Sequence, residues 1–212
     1  MSQPYFLEGF VDLIPNEGDV RQVLERTGAL RHGHFRHPSG THSDLYLQIP
    51  LAMRHYAESK MLSVALSRLL RKDDNVRRAI PQVSVVVPAT GGLPIAFGVS
   101  EALRASQTYW AEKNDAGELE LRQFLEIHPG ERVILVDDIL RTGRKLTQLR
   151  KLVESAGAKV LALAVLVHQP FENCAEFSDL PLFKLLTLEP HYWQAGKCPL
   201  CAQGTPMVDV RV

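Results

Sequence analysis

Two adjacent carboxylates, Asp137 and Asp138, close the apolar run Val133-Ile134-Leu135-Val136, and Ile139-Leu140-Arg141-Thr142-Gly143-Arg144-Lys145 follows them. Carboxylates accept hydrogen bonds from sugar hydroxyls. They repel phosphate, but backbone N–H groups at a helix start, with a threonine hydroxyl beside them, attract it. Acids for a sugar next to amides for its phosphate describe a cradle for a ribose 5-phosphate. Helix capping is the plainer use of an acid at such a place. A cap needs one acid, however, not two followed by two apolar residues and Thr-Gly. A second glycine-bearing stretch, Pro88-Ala89-Thr90-Gly91-Gly92, follows another apolar run, Val83-Ser84-Val85-Val86-Val87.

Both stretches must be held by a strand before them and a helix after them. The β-branched runs at 83–87 and 133–136 suit strands buried on both faces. Helical spacing follows each, to Leu103 and to Ala156, where Gly157 ends the second helix. Further strands are expected at Thr108–Trp110, Val160–Val167 and Leu182–Leu188, with a polar break at 113–120. Upstream, Asn16 can cap a helix with Val20, Val23, Leu24 and Leu30 on its apolar face and Gly28 near its end. Residues 31–50, punctuated by Gly33, Pro38, Gly40 and Pro50, suggest strands or a loop over the core. Met61, Leu62, Ala65, Leu66, Leu69 and Leu70 recur at helical spacing ahead of the charged stretch 71–74. Strands alternating with helices predict an α/β fold with a central, mostly parallel sheet flanked by helices. Binding sites in such folds lie at the carboxyl ends of the strands, where both glycine loops fall. The organisation expected is a helix and hood over 1–50, a core over 51–190, and a tail over 191–212 packing on the hood or core.

Composition narrows the function classes. Hydrophobic residues make up 45% and charged residues 23%, which is globular rather than disordered. Lys+Arg and Asp+Glu are 24 each, so no general affinity for nucleic acid or anionic lipid is expected. No apolar run is long enough to span a bilayer. Met1-Ser2-Gln3-Pro4 lacks the basic-then-apolar pattern of an export signal, and three cysteines are too few for a disulfide framework, so a cytoplasmic protein is expected.

The run from Val133 to Lys145 resembles the type I phosphoribosyltransferases, whose pattern is an apolar strand, two acids and a Thr/Gly-rich turn. The likeness extends further. Gly28-Ala29-Leu30, Gly33-His34-Phe35, Ser39-Gly40-Thr41-His42-Ser43-Asp44 and Tyr46 resemble the N-terminal region of the orotate phosphoribosyltransferases. Pro88–Gly92 is similar to that family's pyrophosphate loop, and Glu112-Lys113, Leu121-Arg122 and Pro129-Gly130-Glu131 to its mobile-loop region. Cys198-Pro199-Leu200-Cys201 and Gly204-Thr205-Pro206 resemble the tail of one branch. The resemblance implies the type I fold with an N-terminal hood. It implies transfer of the 5-phosphoribosyl group from phosphoribosyl pyrophosphate to a pyrimidine base, as in the conversion of orotate to orotidine 5′-phosphate. Mg²⁺ would be carried through the substrate and Asp138. Asp138 and Lys113 are the implied catalytic residues. Donor binding falls to Asp137, Asp138, Ile139, Leu140, Arg141, Thr142, Gly143, Arg144, Lys145, Thr90, Gly91, Gly92 and Lys113, and base binding to His42, Arg141 and Gln169. A homodimer is implied, because family sites borrow the mobile loop from the neighbouring subunit.

The chain departs from the family at telling positions. Arg141 replaces a threonine that contacts loop and orotate, and Lys145 replaces a hydroxyl residue at the phosphate. His168-Gln169 stands where Asp-Arg would pair with the orotate carboxylate, and Gln123 where a second arginine is expected after Arg122. Leu140–Arg144 is also similar to the pyrimidine-operon attenuation proteins. That likeness implies a nucleotide-sensing regulator; a sugar-phosphate binder without turnover, or a transferase for another base, are further readings.

Cys198-x-x-Cys201 has the spacing of half a zinc knuckle; Cys174, His191 or a second subunit would have to complete it, and an inert pair is the alternative. His32, His34, His37 and His42 crowd one segment, but their spacing does not place them on one face of a regular element, so they read as hood residues. Phe35 and Tyr46 read as core packing with a possible stacking role, Tyr192 and Trp193 as tail packing.

Overall fold

A computed structural model of the chain describes residues 14–122, 125–171 and 173–210. In chain order it contains α1 (Glu17–Arg26), β1 (Leu30–Arg36), β2 (Thr41–Leu47), α2 (Pro50–Met53), α3 (Tyr56–Leu70), α4 (Asp74–Ala79) and β3 (Ser84–Pro88). There follow α5 (Leu93–Leu103), β4 (Gln107–Lys113), β5 (Leu119–Leu121), β6 (Arg132–Leu140), α6 (Arg144–Ser155), β7 (Lys159–His168), β8 (Leu182–Thr187), β9 (Tyr192–Gln194), α7 (Pro199–Ala202) and β10 (Met207–Asp209). Met1–Pro4 and Gln123 lie outside the described residues.

The central sheet has the order β5-β4-β3-β6-β7-β8 and is parallel except for the β4–β5 hairpin, which occupies the polar break at 113–120. Its inner strands are apolar on both faces because helices cover both. Alternate residues serve the two layers. Ile134 and Val136 of β6 join the core shared with α1, α3 and α5, whereas Val133 and Leu135 face the core under α6. The same alternation separates Val85 and Val87 from Val86 on β3.

Two boundaries move from the expected ones. β6 carries both acids and continues to Leu140, because its ladder to β7 persists through Asp137–Val165, Ile139–Val167 and Leu140–His168. The expected loop from Asp137 to Lys145 therefore contracts to Arg141, Thr142 and Gly143. Helix α1 is capped as read: Asn16 and Asp19 exchange side-chain-to-backbone bonds at 3.0 and 3.1 Å. It stops before Leu30, which Gly28, at φ +73°, redirects into β1. The charged stretch 71–74 also leads into a short helix, α4, whose start Asp73 caps.

The hood is a second, four-stranded sheet of order β10-β1-β2-β9. Its central hairpin comes from the N-terminal region and both flanking strands from the tail, so residues 30–47 and 192–209 share one sheet. Arg36 and Asp209 pair at its edge at 2.6 Å.

Candidate active site

The carboxyl end of β6, the turn after it and the first turn of α6 enclose a cavity of about 330 Å³, lined by Leu47 and Gln48 of the hood side and by Asp137–Leu146. Its floor is the pair of acids. Asp137 is 1% exposed and Asp138 7%. Neither caps α6. Asp137 Oδ1 accepts from the Asp138 amide (2.9 Å), and Asp138 Oδ1 from the Ile139 amide (2.8 Å). The end of α6 is left open instead. Gly143, at φ +76°, is its N-cap and supplies no side-chain acceptor, so apart from the Arg144 amide, which reaches Thr142 Oγ1 at 3.4 Å, the first turn lacks the side-chain capping that α1 has. Ala175 explains the glycine. A Cβ at 143 would meet the Ala175 methyl at 2.7 Å, and Ala175 N donates to Thr142 O, bracing the turn from below.

Lys145, in that first turn, turns back onto the acids. Its Nζ lies 2.9 Å from Asp137 Oδ2 and 3.8 Å from Asp138 Oδ1. Burial, with Asp138 close by, pushes Asp137 up to about 8 despite this ammonium. Lys145 is held above its ordinary range by the two carboxylates, against the opposing effect of its own burial. The shifts pull apart, one favouring a proton on the acid and the other an ion pair. We take the 2.9 Å contact to keep Lys145 charged, and Asp137 to be an acid reluctant to ionise. Arg144 is exposed, and the cavity stays open.

Arg141 and Gln169 meet: Arg141 Nε donates to Gln169 Oε1 at 2.6 Å, and Gln169 is 1% exposed. Around this guanidinium stand groups that the sequence did not mark as part of a site: His37, read as a hood residue, Tyr192, read as tail packing, and Phe171. Burial first and then the Arg141 charge hold His37 below the ordinary histidine range. Burial raises the Tyr192 phenol while Arg141 pulls it down. The His37 and Tyr192 rings lie 5.9 Å apart, and Phe171 meets Tyr192 edge-on at 4.7 Å. The available signal was the tail itself, which had to pack on something; its pairing with β2, Ser43 opposite Tyr192, is what brings it here.

Thr90, Gly91 and Gly92 do not line the cavity, but the two glycines abut its floor. A Cβ on Gly91 would stand 2.7 Å from Asp138 Oδ2, and one on Gly92 2.6 Å from Val87 Cγ2 and 3.0 Å from Asp137 Oδ1. Lys113 is exposed on the β4–β5 hairpin and is not brought to the cavity within one chain. His42 is a correction. It is 3% exposed, its Nδ1 faces His34 at 2.9 Å and Cys201 at 3.3 Å within the hood, and it is not among the residues lining the cavity.

An acid pair on a buried strand, an open helix start and a glycine loop packed beside them define a class of sugar-phosphate transferases, and comparison with known proteins gives that class its name. A family profile described as phosphoribosyl transferase domain matches residues 65–199. An orotate phosphoribosyltransferase of Thermus thermophilus is 34% identical, over 91% of this chain and 100% of its own length. That of Heliobacterium modesticaldum is 32% identical, over 91% of this chain and 96% of its own. The chain belongs to the phosphoribosyltransferase family, within its orotate phosphoribosyltransferase group. The fold agrees. The crystal structure of orotate phosphoribosyltransferase from Aeropyrum pernix superposes with a TM-score of 0.64 at 24% identity, covering 80% of this chain and 93% of that one.

Proposed function

We propose that this protein transfers the 5-phosphoribosyl group of phosphoribosyl pyrophosphate to orotate, forming orotidine 5′-phosphate and releasing pyrophosphate. The carrying observation is the uncapped start of α6 beside two buried acids. The open amides, with Thr142 and the Arg144 cation, receive the 5′-phosphate. Asp137 and Asp138 accept from the ribose hydroxyls and so hold the anomeric carbon in place. A ring nitrogen of the base forms the new C–N bond as the C–O bond to pyrophosphate breaks, and negative charge grows on the leaving group. Thr90–Gly92 lie beside the acids, where glycine lets backbone amides approach it.

Asp138 offers hard carboxylate oxygens at the edge of the cavity, the donor chemistry Mg²⁺ takes, and would hold the ion together with oxygens of the donor. When bound, Mg²⁺ neutralises charge on the departing pyrophosphate. Arg141 is the group suited to the orotate carboxylate. It supplies, from the loop, the guanidinium that Gln169 lacks, and Gln169 orients it.

We assign the protein to the cytoplasm, supported by three unpaired cysteines; no helix among the described residues is long and apolar enough to cross a membrane. We further propose a homodimer in which Lys113 of one subunit serves the other's cavity. Support comes from an open cleft of about 700 Å³ between α3 and α5, beside which Tyr56 and Phe97 are 78% and 52% exposed. The test is turnover with phosphoribosyl pyrophosphate, Mg²⁺ and, in turn, orotate, uracil and adenine. Orotate should be consumed while uracil, lacking the carboxylate, is not. Binding of the donor without consumption of orotate sinks the reading.

A further inference from the structure

Two histidines of the hood and two cysteines of the tail converge, far apart in sequence. On β1 and β2, Arg36 stands opposite His42, and an irregularity in the register between His32 and Phe35 accompanies the turn of His34 onto His42, their ring centroids 4.9 Å apart. The tail then brings Cys198, the N-cap of the short helix α7, and Cys201 within it over this pair. Their four potential ligand atoms lie within 4.8 Å of one another.

We propose that this cluster is a structural zinc site, with His34 Nε2, His42 Nδ1, Cys198 Sγ and Cys201 Sγ as its four ligands. Distances carry the argument. Zn–N bonds of about 2.0–2.1 Å and Zn–S bonds of about 2.3 Å at tetrahedral angles separate N from N by roughly 3.3 Å and N from S by roughly 3.6 Å. Here His34 Nε2 lies 2.9 Å from His42 Nδ1, and 3.5 and 3.6 Å from Cys198 and Cys201 Sγ; His42 Nδ1 lies 3.3 Å from Cys201 Sγ.

The tautomer agrees. His34 Nδ1 is 3.0 Å from the Thr205 carbonyl, which can only accept. That bond places the proton on Nδ1 and leaves Nε2 with a lone pair, the arrangement of a metal-ligating histidine oriented by a carbonyl. His34, His42 and Cys198 are 2%, 3% and 4% exposed, so the nitrogen and sulfur atoms that face one another here are held largely away from water, as ligands of a structural metal are. The ligand set is full, with no open position, which is the mark of a structural rather than a catalytic zinc.

The metal would tie the hairpin of the hood to the tail that completes its sheet. His42 pairs with Trp193 and Ser43 with Tyr192, so the clamp adjoins the strand that roofs Arg141.

The experiment uses the full chain, without a polyhistidine tag, purified over a chelating resin. Mass spectrometry of metals should find about one zinc per chain, a stoichiometry set by one four-ligand site. A mercurial reagent should release it. Replacement by Co²⁺ should give the thiolate-to-metal charge-transfer band and the intense visible bands of tetrahedral cobalt. Cys201→Ser should bind zinc at least tenfold more weakly in competition with a chromophoric chelator. Wild-type chain without tightly held metal, cobalt without a thiolate band, or Cys201→Ser holding zinc as wild type does would each overturn the proposal. Should Cys201→Ser fail to fold, zinc content, mercurial release and the cobalt spectrum of the wild-type chain decide alone.

Discussion

At position 141 a guanidinium stands where the resemblance expects a hydroxyl, and its Nε is held by Gln169. Arg141→Lys keeps the charge but loses the planar fork. It should raise KM for orotate by about 1.5–3 kcal/mol of lost binding, roughly ten- to a hundredfold, with the affinity for phosphoribosyl pyrophosphate much less affected. Steady-state kinetics and calorimetry of the donor read the two effects separately. Asp137 gives a second prediction. Its carboxyl is raised by burial, so between 3.8 and about 8 the folded chain holds a proton that the unfolded chain has released. Stability from this group must fall as pH rises through that window, with a slope of at most about 1.4 kcal/mol per pH unit. Lys145, raised in the folded state, keeps its contribution until far more alkaline pH and adds no slope there. Urea unfolding at a mildly acidic and a mildly alkaline pH should show the loss in the wild type and a smaller loss in Asp137→Asn; equal losses would contradict it.

Among the elements, those set by local sequence were legible and those set by pairing were not. The run Val133–Val136 reads as a buried strand because four apolar residues in succession suit a sheet covered on both sides. The Asn16 cap was legible for the same local reason. Leu30 was misplaced because apolar spacing carried the helix past Gly28, whose positive φ ends it. The strand character of Asp137 and Asp138 was hidden, since only the ladder to β7 extends β6 through polar residues. His34 and His42 were dismissed as a cluster because their meeting depends on the hairpin register and on a tail some 160 residues away. The same distance in sequence hid His37 and Tyr192 at the site. The glycine loop before α5 is a testable contact between elements. Gly91→Ala puts a methyl 2.7 Å from Asp138 Oδ2, so the carboxylate must shift. Donor affinity should fall about tenfold or more, on the scale of one hydrogen bond to a charged group, while thermal unfolding shifts far less. Calorimetry and a melting curve distinguish that result from simple loss of stability.

For the whole molecule, the proposed sharing of the active site between subunits makes a mixing experiment decisive. Lys113→Ala and Asp138→Asn should each be nearly inactive as pure proteins. Refolded together, a mixed dimer has one cavity with both native groups, and activity should return. If sedimentation finds only monomers, or mixing restores nothing, the shared site is wrong. Phe97→Glu on the exposed α5 face should weaken the dimer in the same assay.

The close crossing of α3 and α5 bears on that arrangement. A Cβ on Gly98 would lie only 2.1 Å from Ser63 Oγ, so α5 has no room to move toward α3. The helix is thereby seated on its neighbour like a lever on a fixed bearing. Gly91 and Gly92 immediately precede its first turn, and Phe97 projects from its outer side. A side chain larger than hydrogen at position 98 would have to push the two helices apart, and with them the glycine loop that α5 carries against the acids.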